Sequence, residues 1–190
     1  LASGTSIIQI TQAASTFDIA GTLVLGGTIS TVGGTAAMTI GSASANTGVV
    51  TVTAGNIPGG VSTRIWDGGT LTINAGGTFN TDRSIMSSGV ITLAGGIIDA
   101  GNVVVASAGP NLFTGTIEHV LQPASVGIVT LSGPLSVGGL INDGVVNVGD
   151  HTLSIETTGP GIIGNCSVGS LGHIVCSAGL SLNSAKVLSG

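Results

Sequence analysis

Charge is what this sequence has least of. Lys and Arg total three and Asp and Glu total eight in 190 residues, so 6% of the chain is charged, against about a quarter in ordinary soluble domains. Nucleic-acid binding needs clustered Lys and Arg, and three cations in a chain of net charge −5 argue against it. Tyr is absent, with one Trp and three Phe. That leaves nothing to build the aromatic girdles of a transmembrane barrel. No apolar run reaches the ~18 residues of a membrane-spanning helix, so the chain is not expected to span a membrane by helices. The start, Leu1-Ala2-Ser3-Gly4, has neither Met nor a basic segment and reads as a mature terminus or an excised piece, not a signal peptide.

Glycine is abundant at 34 residues, but it does not fall at every third position, so a collagen helix is excluded. Disordered segments are polar or strongly charged. This chain is neither, with a mean hydropathy of +0.67. Val, Ile and Leu recur at short intervals, which argues for ordered strands.

The stretch from Gly68 to Gly109 shows the pattern most clearly. Leu71-Thr72-Ile73 alternates apolar and polar, then Gly76-Gly77 breaks it. Ile91-Thr92-Leu93 repeats the alternation before Gly95-Gly96, and Val103-Val104-Val105 follows another Gly. Such alternation is the period of a half-buried strand, and Gly and Asn supply the corners. Short strands and tight corners in succession predict a solenoid whose coils bury their apolar faces against one another.

Elsewhere the same grammar holds. Ile8-Gln9-Ile10 and Phe17-Asp18-Ile19 read as strands of a first coil or cap. Leu23-Val24-Leu25, Met38-Thr39-Ile40 and Val50-Thr51-Val52 follow, and later Val145-Val146-Asn147-Val148 and Leu153-Ser154-Ile155. The spacing between strands is uneven, which disfavours a strict hexapeptide helix. The expectation is all-β: one right-handed parallel β-solenoid over 1–190, with capping segments at 1–20 and 162–190. A β-sandwich of short strands is the alternative.

Several residue groups invite a chemical reading. Arg64, Trp66 and Asp67 lie close in sequence, with Asp82 and Arg83 about one coil later. Stacked coils bring Asp67 toward Arg83 or Arg64 toward Asp82. The five residues form either a sugar-binding patch or an inter-coil or inter-subunit ion-pair patch. Polysaccharide cleavage needs close carboxylates, whereas Asp143, Asp150 and Glu156 have only the spacing of turns. Asp150, His151 and Ser154 include the residue types of a hydrolase triad, yet adjacent strand residues point to opposite faces. No catalytic residue and no cofactor is therefore expected. Cys166 and Cys176 flank His173. They read first as a disulfide closing a short loop, with separate thiols or a metal site completed from elsewhere as alternatives. Asn165-Cys166-Ser167 has the pattern of a glycosylation acceptor. Thr51-Val52-Thr53 and Thr70-Leu71-Thr72 resemble the paired threonines of ice-binding solenoids.

GGTLTINAGGTFNT at 68–81 and SGVITLAGGIIDAGNVVV at 88–105 resemble the degenerate repeats of bacterial autotransporter passengers and filamentous-haemagglutinin-type exoproteins. The resemblance implies a right-handed β-helix that is secreted or displayed at the cell surface. It carries no catalytic residue, and Asn and Asp are scarcer here than in those repeats. With the weakly charged surface, which keeps neighbours apart poorly, the expectation is a non-enzymatic extracellular structural protein. It would be a subunit of a self-assembling filament or coat, or an adhesin stalk. Its partners would be copies of itself, or surface glycans. A virus or phage fibre and a carbohydrate-binding module are the alternatives.

Overall fold

The computed structural model describes residues 7–10, 16–19, 22–25, 28–31, 36–41, 48–53, 55–57, 61–156, 161–163, 165–177 and 180–182. Side chains are described for 22–24, 37–41, 48–53, 62–156 apart from Asp82, and 165–177. Every strand pairing among the described residues is parallel, and no helix occurs there. Sandwiches pair their strands antiparallel, so the fold is a parallel β-solenoid.

Each coil has three extended runs, which stack into three faces. The first face contains Thr22–Leu25, Val49–Val52, Thr70–Asn74, the start of Val90–Val105, the start of Asn111–Pro123, the start of Ile128–Leu140, Val145–Gly149 and Asn165–Val168. The second runs through Gly55–Ile57, the first half of Gly77–Ser87, the middles of the long strands, Thr152–Ile155 and His173–Cys176. The third holds Thr16–Ile19, Ala36–Ile40, Val61–Ile65 and the ends of the long strands. Hydrogen bonds between stacked coils join residues about 20 apart. Where the sequence pattern shows two strands with Gly95-Gly96 between them, the backbone continues as one strand, Val90–Val105. It turns the corners at register shifts instead of ending.

Alternation places one column of side chains inside each face. Val50, Leu71, Ile91, Val129 and Val146 stack in the first; Phe79, Ile98, Ile117, Val137 and Ile155 in the second; Ile85, Val103 and Leu121 in the third. All of these are fully buried, and each such side chain contributes about 1.5–3 kcal/mol relative to exposure. No coil could bury its column alone, which is why the fold propagates. Corner glycines let successive coils close up. A Cβ on Gly127 would strike the Val105 carbonyl, and one on Gly144 would strike the carbonyls of Ala124 and Gly127.

Two polar residues interrupt these columns. Asn111 stands between Ile91 and Val129 and is 1% exposed. The chain before it leaves the ladder through Ala108–Pro110, after the last backbone bonds of Ala106 and Ser107 to neighbouring coils. The Asn111 side chain spans this break. Its Oδ1 accepts the Ile91 N–H at 2.9 Å, and its Nδ2 faces the carbonyls of Ile128 at 2.9 Å, Gly109 at 3.1 Å and Ser107 at 3.3 Å. It also donates to the Ser107 hydroxyl at 2.9 Å. Thr63 occupies the third column between Met38 and Ile85, is 2% exposed, and its hydroxyl has no partner.

Of the two expected caps, most of 1–20 lies outside the described residues, whereas most of 162–190 is described. The strands described there, such as Ile7–Ile10 and Leu180–Leu182, pair with strands of the adjoining coil.

Candidate functional site

The strand Val61–Ile65 turns Thr63 and Ile65 inward, which leaves Arg64 on the outer surface of the third face. Arg64 lies in register with Thr39 on one side and Met86 on the other. Its guanidinium carbon sits 4.1 Å from the centroid of the Trp66 ring, a stacking worth about 0.5–1 kcal/mol at an exposed site. Arg83 enters from the next coil, at the corner where the register of Gly77–Ser87 shifts. Its N–H donates to the Thr81 hydroxyl at 3.1 Å. The two arginines share a groove of about 580 Å³ whose wall includes Ser62, Ser84 and Met86. Met86 is 50% exposed. Neither arginine has a carboxylate partner among the described residues.

The five residues that lie close in sequence are divided by the structure. Asp67 follows the end of Val61–Ile65 and lines a different groove of about 350 Å³ with Gly68, Ser88 and Gly109. The expected Asp67–Arg83 ion pair does not form, because Asp67 sits at the corner after the third run and Arg83 at the corner before it. The side chain of Asp82, expected beside Arg64, lies outside the described residues.

A second polar groove was not anticipated. It has a volume of about 420 Å³, with Glu118, His119, Ser136 and Glu156 in its wall. Beside it Asp99 accepts from Asn80 Nδ2 at 2.8 Å and lies 3.3 Å from His119 Nε2. The Ser136 hydroxyl donates to Glu156 Oε1 at 2.6 Å. These residues stand about one coil apart, so register gathers them although sequence distance separates them. A spacing of 19 between Asn80 and Asp99 and of 20 between Ser136 and Glu156 is the signal that would have found them. The side chains of His119 and Asp99 are 57% and 36% exposed. Here Asp99 and Glu156 spend their oxygens on neighbouring coils, as rungs of a ladder.

Asp150 has a similar task. Its Oδ1 accepts the Leu171 N–H of the following coil at 3.2 Å. Ser154 lies on the second face, paired with Ser136 and Val175.

The expected disulfide is corrected: Cys166 and Cys176 are both free. Cys166 continues the first column above Val146, and Cys176 continues the second above Ile155. Separate faces of one coil hold the two thiols, so closeness in sequence does not bring them together. Burial pushes the Cys166 thiol up to about 11. His173 is exposed and pairs with Thr152. Among the described residues no three His, Cys, Asp or Glu side chains gather as metal ligands. The threonine pairs do not align either. Thr51 stacks on Thr72 and Thr72 on Thr92, Thr70 faces Val49, and Leu112 interrupts the row beyond Thr92.

No helix of the described residues is long and apolar enough to cross a membrane. No family model, curated protein or solved structure matches the chain.

Proposed function

We propose that this chain is a non-enzymatic structural shaft acting outside the cell: a subunit of a self-assembling surface filament or coat, or the stalk of an adhesin. The observation that carries the reading is the continuous stack of coils. Three buried columns, apolar but for Asn111 and Thr63, run through it, and several polar side chains on its surface join coil to coil. Such an architecture sets length and spacing and needs no reaction chemistry. The autotransporter-like repeats at 68–81 and 88–105 point the same way, toward display on a surface. Few charges keep neighbouring shafts apart, and apolar area removed from water between them contributes about 25 cal/mol per Å². Exposed Leu171, Val175 and Val126 offer such area.

Sedimentation in low and high salt tests the reading, with negative-stain images of the same samples. Expected are particles far heavier than the 18.2 kDa chain, little changed by salt, and elongated in projection. A monomer of globular dimensions under both conditions overturns it. So does release of reducing ends from a polysaccharide, abolished by Glu118→Gln or Glu156→Gln.

A further inference from the structure

Arg64 and Arg83 are two of the three basic residues in a chain of net charge −5, and coil stacking delivers both to one groove. Arg64 is held over Trp66, so part of its side-chain freedom is already lost before anything binds, which lowers the cost of ordering it. The groove wall combines an apolar patch at Met86 with the hydroxyls of Ser62 and Ser84. We propose that this groove binds an anionic sugar unit, with the arginines holding a carboxylate or sulfate substituent and Met86 packing on the apolar face of the ring.

The chemistry favours this occupant over others. A guanidinium presents a planar fork that matches carboxylate and sulfate oxygens two at a time. Departure of Asp67 to another corner removes a carboxylate that would repel an anion. A peptide docking by main-chain pairing has no edge to use here, since the strands bordering the groove are paired with the coils on either side. A nucleic acid presents a row of phosphates, and two cations neutralise too few of them. A hydroxylated ring with one acidic group uses all three kinds of wall. Binding of this kind is a further function beside the shaft role and does not depend on assembly.

Trp66 is the only Trp in the chain and stacks with Arg64 of the groove wall, so its fluorescence reports on that arginine. The test is a titration of Trp66 emission with three probes: an oligogalacturonate, its methyl-esterified form, and a heparin-derived sulfated oligosaccharide. Calorimetry follows the same probes with Arg64→Gln, Arg83→Gln and the double variant, whose fold is checked by circular dichroism. The expected result is a saturable response to either anionic probe, and which one responds names the anionic group. Added salt should weaken that response, and the methyl ester should give none. Each single variant should bind about tenfold more weakly and the double variant not measurably. The proposal is overturned by no saturable response to any probe, by equal binding of the methyl ester, or by unchanged affinity in the folded double variant. Emission that follows protein concentration without any sugar also overturns it, because a second copy of the chain then occupies the groove. Sedimentation of the same samples reads the shaft role separately.

Discussion

Asn111 and Thr63 are both polar, both buried in core columns, and treated in opposite ways. Asn111 bridges three successive coils by joining the backbones of Ile91 and Ile128 across its own. Thr63 stands among apolar neighbours with its hydroxyl unanswered. The difference is what the main chain does nearby. Around Asn111 the chain departs through Pro110, which has no N–H, and backbone groups of adjoining coils need a substitute. Around Thr63 the ladder is continuous on both sides, so every backbone group is already used. A polar core residue stabilises this fold only where the ladder has a gap for it to fill.

The largest expected break in that comparison is Asn111→Leu. It leaves the Ile91 N–H and the Ile128 carbonyl buried without partners, each costing about 1–3 kcal/mol. Unfolding in denaturant should show a loss of about 3–5 kcal/mol, and a change under 1 kcal/mol would show that water replaces the amide. Cys166, in the same column as Asn111, sharpens the contrast between filled and unfilled positions. Its thiol, ordinarily near 9.0, is raised to about 11 by burial. Below the lower value both folded and unfolded chains keep the proton. Above it the unfolded chain ionises first, so stability should fall between pH 9.0 and about 11, by about 3 kcal/mol in total. Cys166→Ala should remove that slope. Alkylation of the native protein at pH 8 should mark Cys176 well before Cys166, since the thiolate is the reactive form; equal rates would refute the buried placement.

Thr63→Val should act in the reverse direction to the Asn111 change. Removing an unpartnered hydroxyl at nearly constant shape should raise stability by about 1 kcal/mol. A loss of that size would reveal a partner for the hydroxyl. The smallest effect is expected at the surface. Arg83→Gln should shift stability by under about 0.5 kcal/mol and Arg64→Gln, which loses the Trp66 stacking, by about 0.5–1 kcal/mol, which keeps their effect on ligand binding separable from any effect on folding.

The fold was legible because alternation reports burial directly. Leu71-Thr72-Ile73 and Ile91-Thr92-Leu93 read as strands in the sequence, and they stack residue on residue, Leu71 on Ile91 and Ile73 on Leu93. Less legible was anything that depends on register. That Arg83 follows Arg64 by one coil could be read from sequence, but the corner to which each neighbour goes could not. Asp67 is three residues from Arg64 and yet belongs to another groove. Asp99, Glu118 and His119 were not singled out, and Glu156 read only as a turn residue, because only coil stacking makes them neighbours. The cysteines misled for the converse reason: closeness along a coil carries residues around the prism, not toward each other. Asn111 follows Gly109-Pro110 in the sequence, and nothing in a single sequence marks a side chain that replaces a backbone.

The ladder between coils has a mechanical consequence. Hydrogen bonds between parallel coils point along the long axis of the stack, so tension applied along that axis pulls on them lengthwise. An end coil is held from one side only, so it can peel away while the next still holds its own columns. Each coil released adds about 20 residues of slack, roughly 65 Å of extended chain. A stack built this way yields in steps, lengthening under load before it parts.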